Sequence, residues 1–299
     1  MCSLHGGDSK EEGPSFLRVM SELESGRLHH SNVELSGGEP TVRDGFIEIV
    51  AEAKRLGYRE IGISTNGRKL ADKDFCDKAV KAGLNRVTFA LHGASSEIHD
   101  AVTGVEGSFN EIIAGIKNVR DSGIDFGAAS VLFSLNADNF PELGKFIFSM
   151  GANDWNIADL IPEGRSYEKY ASMAVFPDKA AKILSDLLSQ AEEYNLHIGL
   201  FNFSRCLLPE SLPLNVFFVG TKKKIRDWNV KVPGQKEDNF MKEEDICESK
   251  FKSFLPVCTD CRYRDDCGGY WKRAIEMLGA EEADGLIRKA ICLNRKEIS

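Results

Sequence analysis

Strand-like and helix-like stretches alternate along most of this chain, and that alternation limits the fold more than any other feature. Short β-rich runs fall at 33–38, 60–67, 86–93, 125–133, 154–162 and 197–203. Helical stretches sit between them at 46–57, 72–82, 109–122, 140–150 and 177–196. In the first of these helices Phe46, Ile49, Val50, Ala53 and Leu56 recur at helical spacing and Gly57 marks the stop; the last carries Pro177 in its first turn. A strand–helix repeat of about 25–35 residues predicts a parallel sheet covered by helices, wound either as a barrel or as a doubly wound sheet. In both, chemistry gathers at the carboxyl ends of the strands.

Those ends read SGGEP, STNG, ALHG, LFSLN and LIPEG, whereas the opposite turns read GYRE, GLNR and GIDF. The polar asymmetry places the site at the first set. Beyond Ser204 the pattern stops. Pro209, Pro213 and Pro233, a basic run at 220–231 and a cysteine cluster mark a less regular region. The expected division is a strand–helix core over 1–200 and a smaller domain over 201–299.

Composition narrows the function. Forty-six acidic residues against 38 basic ones give a net charge of −8, which argues against nucleic acid as the main partner. No apolar run approaches the roughly 18–20 residues that span a bilayer, and no signal sequence opens the chain, so a cytoplasmic location is expected. In that compartment eight cysteines are not a disulfide framework, and their spacing carries the information.

Cys258, Cys261 and Cys267 form C-x-x-C-x5-C, followed by Gly268 and Gly269. Two thiolates at C-x-x-C spacing grip one metal or one cluster edge, and a third closes the face. Zinc and iron–sulfur both satisfy the spacing. Cys206 is the favoured fourth ligand, with Cys247 as the alternative. Cys292, on the last helix, and Cys76, within a helix, are expected to be buried hydrophobes. In the turn SGGEPTVR, Gly37 and Gly38 expose backbone groups and Glu39 adds a carboxylate. That set suits an ammonium group and does not suit a phosphate.

ELSGGEPTVR resembles the signature turn of radical S-adenosylmethionine enzymes. ISTNGRKL, FALHG with EIHDAVTG, and NDWNIADLIPEGRS resemble the strand ends that follow it in that family. The three-cysteine array with its Gly-Tyr-Trp tail is similar to the SPASM or twitch auxiliary-cluster domain, although Trp271 stands where the fuller pattern has another cysteine. The resemblance implies an incomplete (β/α)6 TIM-like barrel lacking its first strand, with an auxiliary [4Fe–4S] cluster domain behind it. It implies that Gly37, Gly38 and Glu39 meet the methionyl end of S-adenosylmethionine, and that Ser64, Thr65, Asn66, Ser130 and Leu160 lie along the rest of the cofactor. Asn136 occupies another strand end of this kind. His92 is either packed or in contact with substrate, His99 and Asp100 order a loop, and Tyr270 and Trp271 pack beside the auxiliary cluster.

The family holds its catalytic [4Fe–4S] cluster with C-x-x-x-C-x-x-C, and Cys2 resembles the third cysteine of that motif. The resemblance therefore implies an N-terminally truncated enzyme, inactive as written because the other two cysteines are absent. In complete form it would cleave S-adenosylmethionine to a 5′-deoxyadenosyl radical, taking its electron from a flavodoxin- or ferredoxin-type donor, and abstract hydrogen from a peptide or small-molecule substrate. The rival expectation is a non-catalytic metal-binding scaffold or peptide-recognition subunit.

Overall fold

The strand–helix alternation is present throughout the computed structural model, which describes residues 14–194, 196–219, 251–264 and 267–296. Cys2, Cys247 and the basic run at 220–231 lie outside the described residues. A helix α1 (Phe16–Arg27) leads into β1 (Asn32–Leu35), α2 (Phe46–Arg55), β2 (Glu60–Thr65), α3 (Lys73–Ala82) and β3 (Arg86–Ala90). Next come α4 (Ser96–Thr103), α5 (Ser108–Asp121), β4 (Asp125–Val131), α6 (Phe140–Ser149) and β5 (Asp154–Ala158). Two single-turn helices, α7 (Arg165–Glu168) and α8 (Tyr170–Met173), precede α9 (Pro177–Leu188), β6 (His197–Phe201) and β7 (Val216–Val219). The C-terminal part contributes β8 (Lys252–Ser253), β9 (Tyr270–Trp271), α10 (Lys272–Leu278) and α11 (Ala280–Lys296).

Strands β1 to β7 lie in one sheet in chain order, and the registered pairs are parallel. Unbroken chain order is barrel winding, since a doubly wound sheet reverses its order at a switch point. The fold is α/β with the strand order of an incomplete (β/α) barrel. β7 was not legible in the sequence: it follows Pro209 and Pro213, yet it pairs parallel with β6, Ile198 opposite Val216. The sheet thus continues past the predicted boundary at residue 200. The chain divides into two compact units, with the division inside β4 between Ala129 and Ser130. Among the described residues no helix is long and apolar enough to cross a membrane.

Local chemistry explains the element ends. Asp72 caps α3 by accepting from the backbone N–H groups of Asp74 and Phe75, and Gly83 closes it at φ 132°. His99 and Asp100 lie on α4, a helix of eight residues outside the expected set, in which His99 is the buried residue. In the first unit Val50, Ala53, Ile61, Ile63, Val87, Phe89, Ile112 and Val119 are buried between helices and sheet. Tyr58 donates to the Leu23 carbonyl at 2.8 Å and ties α1 to this core. In the second unit Trp155 stacks on Phe140 at 5.3 Å and donates its indole N–H to Ser130 Oγ at 2.9 Å.

Gly115 on α5 bears on the site directly. A Cβ there would stand 2.5 Å from the Gly67 carbonyl and 3.3 Å from Leu70 Cβ, so the helix lies against the loop that follows β2. Overpacking of this kind costs about 1–3 kcal/mol. Gly115→Ala is expected to lower the melting temperature by a few degrees. An unchanged melt would show that this loop yields to the helix and is not held by it.

Candidate functional site

The turn after β1 and the turn after β2 are joined by one carboxylate. Glu39 Oε1 accepts from Thr41 N at 3.2 Å, Thr41 Oγ1 at 2.5 Å and Thr65 Oγ1 at 2.6 Å. Its Oε2 accepts the Asn66 backbone N–H at 2.7 Å. Thr65 Oγ1 in turn accepts from Gly67 N at 3.0 Å, and Asn66 Oδ1 accepts from Arg68 N at 3.0 Å. Pro40 opens a 3-10 turn directly behind Glu39, which aims the carboxylate at β2. Gly37, at φ +124°, and Gly38 have nothing within 4 Å of where a Cβ would sit. The backbone of this turn is bare, with a negative charge fixed beside it. That geometry fits the ammonium end of a zwitterionic ligand.

The other predicted contacts divide in two. Thr65 and Asn66 belong to the Glu39 clasp, and Ser64 Oγ donates to Glu34 on β1. Ser130 and Leu160, which belong to the second unit, are 1% and 3% exposed. The Ser130 hydroxyl serves Trp155, and the Leu160 N–H donates to Asp159 Oδ1 at 2.9 Å. Asn136 holds its own turn, accepting from Phe133 N and donating to the Val131 carbonyl. Thr41, 2% exposed, was missed by the sequence reading; a hydroxyl two residues after the glutamate was the available signal.

His92 and His99 form a stacked pair with centroids 6.0 Å apart, and the His92 N–H donates to His99 Nδ1 at 3.2 Å. Asp100 caps α5, accepting from Gly107 N, Ser108 Oγ and Phe109 N at 2.7–2.8 Å. Burial, with the His99 ring beside it, pushes the His92 imidazole down to about 3.

The cysteine cluster assembles within the second unit. Cys206, Cys258, Cys261 and Cys267 line one cavity, together with Leu255 and Tyr270. Three stretches of chain build it. Cys206 follows β6 in a 3-10 turn whose carbonyl accepts from Asn294 on α11 at 3.2 Å. Cys258 ends a turn anchored by the Val257 N–H on Asp284 Oδ1 at 2.6 Å. Behind Cys267, Gly269 sits at φ +96°, where a Cβ would lie 2.3 Å from the Ser253 carbonyl, so glycine alone fits. Burial pushes the Cys206 thiol up, and the fields of Cys267, Cys258 and Cys261 add to it; burial raises Cys258 as well. Four cysteines on one cavity offer the donor chemistry of a soft metal or an iron–sulfur cluster. Among the described residues no three His, Cys, Asp or Glu converge closely enough to grip a single ion, and the four cysteines instead line one cavity.

Two expectations near this cavity change. Cys292 is exposed and not a core residue, because α11 turns Ile287 and Ile291 inward to the cavity. Trp271 does not line the cavity. It is fully buried, donates to Asp159 Oδ2 at 2.7 Å and lies under Lys252 Nζ at 4.3 Å. Asp159, a buried carboxylate just past β5, was also missed. Cys76 is buried, as expected.

The His92 environment makes a pH prediction. An unfolded histidine takes up a proton near pH 6.5, whereas the folded chain keeps His92 neutral down to about 3. The unfolded state then binds more protons between those values, so stability falls as pH drops below about 6.5 and levels off below about 3. The expected loss at pH 5 from this group is ~2 kcal/mol. Denaturant titrations of the wild type and His92→Gln from pH 7.5 to 5 should show a shallower slope in the variant. Equal slopes would contradict the assignment.

The chain is similar to known proteins in sequence and in fold. Residues 5–147 match the model of the Radical SAM superfamily. A probable GTP 3′,8-cyclase of Saccharolobus islandicus is 40% identical over 171 residues, 54% of this chain and 53% of that protein. A probable GTP 3′,8-cyclase of Saccharolobus solfataricus is 33% identical over the same length. The chain spans about half the length of these curated relatives. Among solved structures, native anSMEcpe with bound AdoMet and Cp18Cys peptide superposes with a TM-score of 0.60 at 16% identity, covering 95% of this chain and 90% of that one. Streptococcus suis SuiB bound to precursor peptide SuiA gives 0.58 at 14% identity, covering 94% and 70%. These likenesses are to the fold. Residues 5–147, which carry the glycine–glutamate turn and β1 to β4 of the parallel sheet, form a radical SAM domain.

Proposed function

We propose that this chain binds S-adenosylmethionine at the turn of Gly37, Gly38 and Glu39 and holds an auxiliary [4Fe–4S] cluster on Cys206, Cys258, Cys261 and Cys267. Together with a reducing cluster, S-adenosylmethionine supplies the carbon radical that abstracts hydrogen from a substrate. The observation that carries the reading is the Glu39 clasp. It leaves the two glycines open, and it fixes a negative charge where an ammonium group would bind. Ser64 and Thr65 frame the turn through Glu34 and Glu39, which leaves the Asn66 side chain as the polar group of β2's end best placed for the cofactor's ribose or carboxylate. Ser130 and Leu160 would contribute by shaping strand ends. Four thiolates saturate the irons of a cubane, so the auxiliary cluster would pass electrons and would not bind substrate directly.

A peptide is the favoured substrate class. Two fold neighbours that cover about 95% of the chain, anSMEcpe and SuiB, were solved with peptides bound, and a flavodoxin- or ferredoxin-type protein would deliver the electron. A second reading is a guanine nucleotide substrate, favoured by the 40% identity to a probable GTP 3′,8-cyclase.

Equilibrium dialysis of S-adenosylmethionine against the reconstituted chain tests the reading. Saturable binding is expected, weakened about tenfold or more, ~1.4 kcal/mol, in Glu39→Ala with the circular dichroism retained. Absence of binding to the wild type would overturn it and favour the scaffold. Adding a cysteine-containing peptide or GTP separates the two substrate readings, because the true class tightens cofactor binding and the other leaves it unchanged.

A further inference from the structure

The wall of the cysteine cavity carries a cation that no carboxylate among the described residues neutralises by an ion pair. Arg205 precedes Cys206 in the chain and lines the same cavity. Its guanidinium is held rigidly. Nη1 donates to the carbonyls of Leu208 at 3.2 Å and Pro209 at 2.7 Å, and Nη2 to that of Glu210 at 2.8 Å. Its other face lies 4.5 Å over the Tyr263 ring. The side chain of Glu210, whose carbonyl Arg205 meets, is engaged elsewhere, with Arg262 at 2.6 Å. Arg262 also donates to the Tyr263 hydroxyl at 2.8 Å, so the ring under Arg205 is itself fixed.

A guanidinium remains charged in any protein environment. Placing one in a partly buried wall is unfavourable unless an anion faces it. Backbone carbonyls satisfy its donors but supply no compensating charge. The cysteines that line the same cavity would supply the compensating negative charge once they bind a cluster as thiolates. A cubane on four thiolates is net negative when oxidised and more negative after it accepts an electron, so a fixed cation beside it favours the reduced form. Arg264 also lines the cavity, donating to the Cys258 carbonyl at 3.2 Å, but it is exposed. Water and salt screen its field.

We propose that Arg205 is a positioning residue that raises the reduction potential of the cluster held by Cys206, Cys258, Cys261 and Cys267. The proposal rests on the cluster reading above. The step is a one-electron reduction of the cluster, with the electron supplied by the external protein donor and no bond made or broken.

The test is a redox titration of the anaerobically reconstituted full chain with dithionite and mediators, followed by electron paramagnetic resonance. In Arg205→Gln the one-electron reduction constant is expected to fall about tenfold, a shift of ~59 mV to more negative potential. Arg205→Lys, which keeps the charge, should stay near the wild type. Arg264→Gln should move the potential less than Arg205→Gln does. A cluster in Arg205→Gln with the wild-type potential would overturn the proposal. If Arg205→Gln fails to load iron, Arg205→Lys decides: loading near the wild-type potential supports the charge role, and failure to load shows a purely structural one. A wild type that takes up no iron overturns the cluster reading itself, an outcome distinct from a loaded cluster of unchanged potential.

Discussion

The Glu39 carboxylate organises the first unit's strand ends. Its four hydrogen bonds come from its own turn and from the end of β2, so two loops that are 26 residues apart in sequence move as one body. Without it the bare glycine turn would be free to sample many conformations, since glycine loses more freedom on ordering than any other residue. α5 supports the same body from behind through Gly115, which lets the helix backbone approach the Gly67 carbonyl. A ligand that meets Gly37 and Gly38 therefore meets a preorganised edge, the condition under which backbone groups bind a small cofactor without a large ordering cost.

The cysteine cavity follows a similar logic with different materials. None of its sulfurs lies on a long element. They are placed by turns, and the turns are held by single polar anchors on α11: Asp284 on the Val257 N–H and Asn294 on the Cys206 carbonyl. α11 packs along α9, so the part of the chain with least regular structure is fastened to one of the best buried helices of its unit. Ser204 adds a third tie through the Gly269 carbonyl at 2.6 Å. Such a site is shaped by its surroundings before any metal is considered.

Much of this was legible in the sequence because the relevant signals are local. The 3.6-residue spacing of Phe46, Ile49, Val50 and Ala53 reports a helix with one buried face, and C-x-x-C reports a ligand pair without reference to the rest of the chain. What escaped depends on tertiary contact. β7 is a four-residue run whose strand character comes from the free edge of β6. Ser130 has a hydroxyl suited to a ligand, yet the Trp155 indole claims it from 25 residues away. Trp271 reads as part of the cysteine array and is instead drawn to Asp159, 112 residues distant. Cys292 looks like a helix-core residue until the rotation of α11 is fixed by Ile287 and Ile291.

Iron and acid-labile sulfide per chain, measured after anaerobic reconstitution in the wild type and in Cys206→Ser/Cys258→Ser, test most directly whether the four-cysteine cavity is a cluster cradle. The account predicts that the variant loses about four iron and about four sulfide relative to the wild type. About one zinc per chain bound by these cysteines, with no difference in sulfide between the two proteins, would contradict it.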